Sequence, residues 1–387
     1  MANSSNHDIN EVPGMIERYG PAAAAKKIKA MLEEKNNTPL NIGITGESGT
    51  GKSSFVNAFR GIDNRDDLAA PNGVVKTTME PKSYPHPKWP NVKVWDLPGI
   101  GTTHFPAAQY LQHVQFKRYD FFIIISADRF KENDVKLALE IQRMEKKFYF
   151  VRSKIDDNMR AEKRSQKDFQ PEKSLSAIRK NCIEGLAKEG IRSPQVFLVS
   201  SFEHHLYDFN LLEETLQREL PAHKGDVLLL AMTNSNVEII KKKKAVLQSE
   251  INHVAWLSAL AGAVPVVSLL ADLNLLVSTA NKYKVTFGLD SKSLQNLAQS
   301  AGVPLDDLRS VLNSRLALGE LSPGLIIEML EWSLPQKVGA NLLRFIPIVG
   351  NIAAGALSFK STVKALNDFL NMLAKDAESV FKRALNR

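Results

Sequence analysis

The sequence predicts an α/β domain built on a mainly parallel sheet, joined to an all-α domain that the two ends of the chain form together. Three observations carry this. The run NIGITG at residues 41–46 is β-type, ends in a glycine-rich turn, and is followed by SSFVNAFRGI, which is apolar at helical spacing. The run FFIII at residues 121–125 is apolar at every position instead of alternating, as a strand buried on both faces of a parallel sheet requires. After Leu220-Pro221 the texture turns to long stretches of Leu, Ala, Lys and Glu that persist to Arg387.

Taken in order, residues 11–36 are rich in Ala, Lys, Glu and Met beyond Pro21 and predict a helix. A helix of that length is marginal without packing, so residues 1–36 are expected to lie on the C-terminal helical domain. Residues 37–219 predict the α/β domain, with strands at 41–46, 92–95, 120–126, 148–152 and 195–200 separated by helical stretches. Residues 220–387 predict the helical domain. Within it, residues 251–271 carry no charged side chain over 21 positions, a length that would span a bilayer. Asn252, His253, two serines and the helix-breaking Pro265 oppose that reading. A buried helical hairpin is the first reading, interfacial membrane binding with Lys241, Lys242, Lys243 and Lys244 near the headgroups the second, and a transmembrane helix the third. The related stretch around Pro347 is too short to span.

Composition narrows the function. With 387 residues and 44% hydrophobic content the chain can bury a substantial core, and 24% charged residues are ordinary for a globular protein. A single cysteine, Cys182, excludes a disulfide framework and a Cys-rich zinc site, and implies a reducing, intracellular compartment. The net charge of +8 is dispersed; the four lysines 241–244 are its one dense run and read as a solvated helix face, so no specific nucleic-acid partner is expected. The first ten residues have no apolar core of a secretory signal, and Ala2 stands where N-myristoylation needs glycine, so the expectation is a cytoplasmic protein that is neither secreted nor myristoylated.

The chemistry concentrates in three places. Gly46-Glu47-Ser48-Gly49-Thr50-Gly51-Lys52-Ser53 fits G-x-x-x-x-G-K-[ST] between a predicted strand and a predicted helix, with Ser54 next in the helix. Its glycines let backbone N–H groups approach phosphates, the helix N-terminus favours anions, Lys52 neutralises β/γ charge and Ser53 ligates Mg²⁺. Downstream, Asp96-Leu97-Pro98-Gly99 closes a strand in the D-x-x-G pattern, in which the carboxylate holds Mg²⁺ through water and Gly99 meets the γ-phosphate. Between them, within Gly73-Val74-Val75-Lys76-Thr77-Thr78, a threonine completes the metal shell; Thr78 is favoured over Thr77. The base is read at Ser153-Lys154-Ile155-Asp156, where the Asp156 carboxylate accepts from guanine N1–H and N2–H₂ while Lys154 lies along base and ribose. Ser200 and Ser201, after the next strand, place a backbone N–H near guanine O6. The cofactors expected are therefore GTP, GDP and Mg²⁺.

Hydrolysis has a gap. Ile100 follows Gly99 where Ras-like enzymes place a water-orienting Gln. His104 is one substitute, and a group supplied by a second molecule is the preferred one.

The stretches GESGTGKSSFVNAFRGI, GVVKTTMEPKSYPHP, VWDLPGIGTTHFP, YDFFIIISADRFKENDV and KKFYFVRSKID together resemble the interferon-inducible immunity-related GTPases, and Lys52 is similar to the lysine-bearing effector branch of that family. The resemblance implies a Ras-like P-loop G domain set between an N-terminal helix and a C-terminal helical domain. It implies GTP-dependent self-assembly through the nucleotide face, peripheral association with intracellular, pathogen-containing vacuole membranes, and a role in cell-autonomous innate immunity. Ala2 and Lys76 depart from relatives that carry a myristoylated glycine and an acidic switch residue. The alternatives are a nucleotide-gated scaffold with negligible turnover and a septin- or dynamin-like membrane remodeller.

Overall fold

A computed structural model describes residues 4–71, 80–98, 110, 112–128, 130–203, 206–261, 269–333 and 352–385. The chain divides into two compact units, one formed by residues Thr38–Met232 and the other by Met1–Asn37 together with Thr233–Arg387.

The first unit is a six-stranded sheet: β1 (Leu40–Thr45), β2 (Lys82–Pro85), β3 (Val92–Asp96), β4 (Phe121–Ser126), β5 (Lys147–Arg152) and β6 (Val196–Leu198), in the order β2-β3-β1-β4-β5-β6. All neighbours run parallel except β2, which pairs antiparallel with β3 so that Tyr84 faces Val94. Every residue of β4 is buried, as its unbroken apolar run requires. Phe122, Ile124, Phe150, Val196 and Leu198 share one core with Leu137 and Ile141 of the Glu132–Arg143 helix and Leu186 of the Pro171–Lys188 helix, where Cys182 is also buried. Because the order reverses direction on either side of β1, the chain leaves β1 and β4 toward opposite sides, and the carboxyl ends of the strands open a crevice between them.

Two features of this unit differ from the sequence reading. Strand β2 is an additional element: it is a four-residue edge strand with only Tyr84 buried and Pro85 at its end, too short and too polar to register as periodicity. The unit also runs to Met232 instead of 219, because the helix Ala222–Ala231 packs on β1 and β3 and buries Val227, Leu228, Leu229 and Leu230.

In the second unit the regular elements among the described residues are all helices. The 34-residue helix Ile352–Leu385 packs along Val237–Ala261, burying Leu366, Phe369, Leu370 and Leu373 completely, the spacing of one helical face. The N-terminal residues form two helices, Ser4–Tyr19 and Pro21–Asn37, separated by Gly20 at φ +77°. They close over Val12, Ala24, Ile28 and Leu260. The lysine run is not wholly solvated: Lys243 is buried and its Nζ donates to Thr286 O at 3.0 Å, because position 243 falls on the inward face of Val237–Ala261. No helix among the described residues is long and apolar enough to cross a membrane. Residues 262–268 and 334–351, which hold Pro265 and Pro347, lie outside the described residues.

Candidate functional site

The phosphate loop is shaped by close approach. Gly46, just past β1, sits at φ +138°, and a Cβ there would lie 2.1 Å from Ile125 O on β4. Only glycine fits. Gly46→Ala is therefore expected to cost about 3 kcal/mol or more and to displace the loop, read as a lower denaturation midpoint and weaker nucleotide binding. Gly51 (φ +89°) is the N-cap of the Lys52–Phe59 helix, and no side chain caps that end, so the first-turn N–H groups remain available to an anion. Thr50 Oγ1 donates to Glu47 O at 2.9 Å and braces the turn, while Ser48 and Gly49 form its exposed tip.

Lys52 folds back over this loop. Its Nζ donates to Gly46 O at 3.0 Å and Glu47 O at 2.8 Å, and the side chain is buried. Burial pulls the ammonium pKa down, opposed by the charges of Asp96, Asp134 and Glu47. Ser53 Oγ donates to Asp96 Oδ2 at 2.9 Å, joining the phosphate loop to the end of β3; Asp96 is buried and Ser53 and Ser54 are partly so.

The segment after β5 is tied to the same loop. Ser153 Oγ donates to Thr50 O at 2.7 Å, and Lys154, held at φ +57°, places its Nζ 2.9 Å from Gly49 O. Asp156 opens the Ile155–Ser165 helix and is only 3% exposed; Arg160 Nη2 donates to its Oδ2 at 2.6 Å. Past β6, the fully buried Ser200 accepts from Phe202 N–H and Glu203 N–H at 3.1 Å each, which shapes the loop beside Asp156.

A second acidic group lies against the phosphate loop. Lys131 ion-pairs with Glu47, and the backbone N–H of Lys131 donates to Asp134 Oδ2 at 3.2 Å, capping the Glu132–Arg143 helix. Asp134 Oδ1 is buried and finds no hydrogen-bond partner among the described residues. Burial, reinforced by the Glu47 charge, pushes this carboxyl up to about 6, against the Lys131 N–H bond and the Lys131 and Lys52 charges. Because the folded pKa exceeds the unfolded one, the native state binds more protons between about pH 4 and 6, so this group's contribution to stability falls as pH rises through 6. Asp134→Asn should then raise the melting temperature at pH 8, with the gain shrinking toward pH 5.

Of the residues singled out from sequence, Gly46 to Ser54, Asp96, Lys154, Asp156 and Ser200 all lie at the carboxyl ends of β1, β3, β5 and β6. Thr78, Thr77, Lys76, Gly99, Ile100 and His104 lie outside the described residues. The sequence assigns no separate role to the Ser153 hydroxyl, Lys131, Asp134 or Arg160. Of these, Arg160 carried a signal, since it stands one helical turn after Asp156, where an opposite charge pairs.

Comparison with known proteins places this geometry. The family profile described as Interferon-inducible GTPase (IIGP) matches residues 5–384. The chain is 41% identical over 367 residues to Interferon-inducible GTPase 5 of Bos taurus, covering 94% of this chain and 79% of that protein. It is 36% identical over 385 residues to Interferon-gamma-inducible GTPase 10 of Mus musculus, covering 98% and 89% respectively. Interferon-inducible GTPase 1 of Mus musculus is 36% identical over 358 residues, with 92% and 85% coverage. With a G-x-x-x-x-G-K-S loop at the carboxyl end of β1 in a mainly parallel sheet and a family match across nearly the whole chain, this protein belongs to the interferon-inducible GTPases.

Proposed function

We propose that the chain binds GTP and GDP through this crevice, selects guanine through Asp156, and hydrolyses GTP with Mg²⁺ in a reaction completed by a second copy of itself. The observation that carries the reading is the convergence of two separate segments on one loop, Asp96 bonded to Ser53 and Ser153 and Lys154 bonded to Thr50 and Gly49, with the loop's own Lys52 arched over Gly46 and Glu47.

The residues fit a nucleotide phosphate. Gly46 leaves no room for a side chain in the loop, the helix N-terminus beyond it lacks a cap, and a buried ammonium stands over it. Lys52 then neutralises phosphate charge, and the backbone of Gly46 to Ser54 orients it. Ser53 and Thr78 would supply oxygen ligands of the kind a hard cation prefers, and Asp96 would hold the ion through water. Mg²⁺, when bound, supplies charge neutralisation on the β- and γ-phosphates. The D-x-x-G pattern assigns Gly99 to the γ-phosphate.

Ile100 offers no hydrogen bond to an attacking water, which supports completion of the site across a dimer formed through the nucleotide face. We place the resulting oligomer at intracellular membranes, as a peripheral component of innate defence, in keeping with the family. The same Ile100 favours, as a second reading, a GTP-gated scaffold with negligible turnover.

Equilibrium binding of GDP, GTP and ATP with and without Mg²⁺ tests the first step. GDP and GTP should bind, with ATP weaker by about 100-fold or more because adenine N1 would meet a carboxylate lone pair. Equal affinity for ATP would overturn the assignment of Asp156.

A further inference from the structure

We propose that Arg160 is the positioning residue of the base pocket: its guanidinium holds the Asp156 carboxylate in the orientation that guanine requires and joins the Ile155–Ser165 helix to the loop after β6. The inference deepens the guanine assignment of Asp156 and rests on it.

Asp156 is nearly enclosed, and it pairs with Arg160, one turn along the same helix. Arg160 Nη2 lies 2.6 Å from Asp156 Oδ2 and 2.6 Å from Asp157 Oδ1. Its Nη1 lies 3.7 Å from Glu203 Oε1, on the loop that the Ser200 hydroxyl holds through the Phe202 and Glu203 N–H groups. One guanidinium therefore stands among three carboxylates drawn from two segments of the chain. Most i,i+4 pairs on helix surfaces stiffen nothing of consequence, because both partners are solvated. Here one partner is buried, and an unpaired buried carboxylate is costly.

The recognition chemistry sets the demand. Guanine presents N1–H and N2–H₂ side by side, so Asp must offer both oxygens in the plane of the base. The torsion that orients an aspartate carboxylate is broad and poorly defined by itself. A guanidinium bonded to Oδ2 fixes it and occupies one acceptor position of a group that has about four, leaving acceptor capacity on both oxygens for the base. The neighbouring Lys154 does not do this work, since its Nζ is engaged with Gly49 O. Without Arg160, Asp157 and Glu203 would act on Asp156 as like charges with no cation between them.

The test compares GDP with inosine diphosphate, which lacks the 2-amino group and so reports on the second contact alone. Affinities for both, and for ADP, are measured for the unmodified chain, Arg160→Ala, Arg160→Lys and Asp156→Asn, each with its melting temperature. Arg160→Ala should reduce the GDP-to-inosine-diphosphate affinity ratio about tenfold, the value of one charge-assisted contact. Arg160→Lys should restore part of it, because an ammonium keeps the charge without the planar fork. ADP affinity should not move. A role confined to folding would weaken GDP and inosine diphosphate equally and leave the ratio unchanged, which overturns the proposal. Tighter GDP binding by Arg160→Ala would also overturn it, since the guanidinium would then be a competitor of the base. If Asp156→Asn itself leaves the ratio unchanged, the guanine assignment fails; if it lowers the ratio while Arg160→Ala does not, only the role of Arg160 fails.

Discussion

Asp156→Asn is expected to weaken GDP binding by about 100-fold or more and to strengthen binding of xanthosine diphosphate. An ionised carboxylate accepts from both N1–H and N2–H₂ of guanine. Asparagine presents one acceptor and one donor, so its amide N–H₂ would point at the guanine amino group, and a buried donor left facing a donor costs more than the lost bond alone. Xanthine carries a carbonyl oxygen where guanine carries the amino group, and that oxygen accepts the amide proton. The burial of Asp156 is what makes the effect large, because water cannot repair the mismatch at a side chain only 3% exposed. Competition binding with the two diphosphates measures the exchange. An unchanged preference for GDP would place base recognition elsewhere.

The second large effect is at Lys52. Lys52→Ala should lower GTP affinity by about 100-fold and reduce turnover by about a thousandfold, the range seen when a preorganised electrostatic contact is lost from a water-poor site. The ammonium is held in place before any ligand arrives, by carbonyls at 3.0 and 2.8 Å, so little reorganisation is needed when phosphate binds. Lys52→Arg should not rescue, because the longer, planar fork has no space in a position that is already buried and bonded to two carbonyls 46 and 47. Single-turnover kinetics with excess enzyme separates the affinity loss from the loss of rate. Turnover close to that of the unmodified chain would remove Lys52 from the phosphate site.

Much of this site was legible because its chemistry dictates local sequence. A strand that must end in a turn wrapped on phosphate writes its glycines at fixed positions, and Gly46, Gly49 and Gly51 all occupy backbone conformations that favour glycine. The parallel sheet was legible in the continuous apolar run of β4. Strand β2 was not, since an edge strand with one buried side chain leaves no period to read. The end of the α/β unit was misplaced because Ala222–Ala231 is a helix like those that follow it, and only its packing on β1 and β3 assigns it to the sheet. Lys243 shows the same limit: four consecutive lysines read as a solvated face, yet one of them must point inward on a helix buried along that side. What the Ser153 hydroxyl and the Asp134 carboxyl meet was not legible, because Thr50 and Ser126 for the first, and Lys52 and Glu47 for the second, lie far away in sequence.

We propose that GTP is hydrolysed at this site and that a second copy of the chain completes it. This is tested most directly by GTP turnover with Mg²⁺ as a function of protein concentration. Specific activity should rise with concentration and level off once the dimer is saturated, because the position after Gly99 is an isoleucine that cannot orient water. Specific activity that stays constant across the whole concentration range would contradict the account.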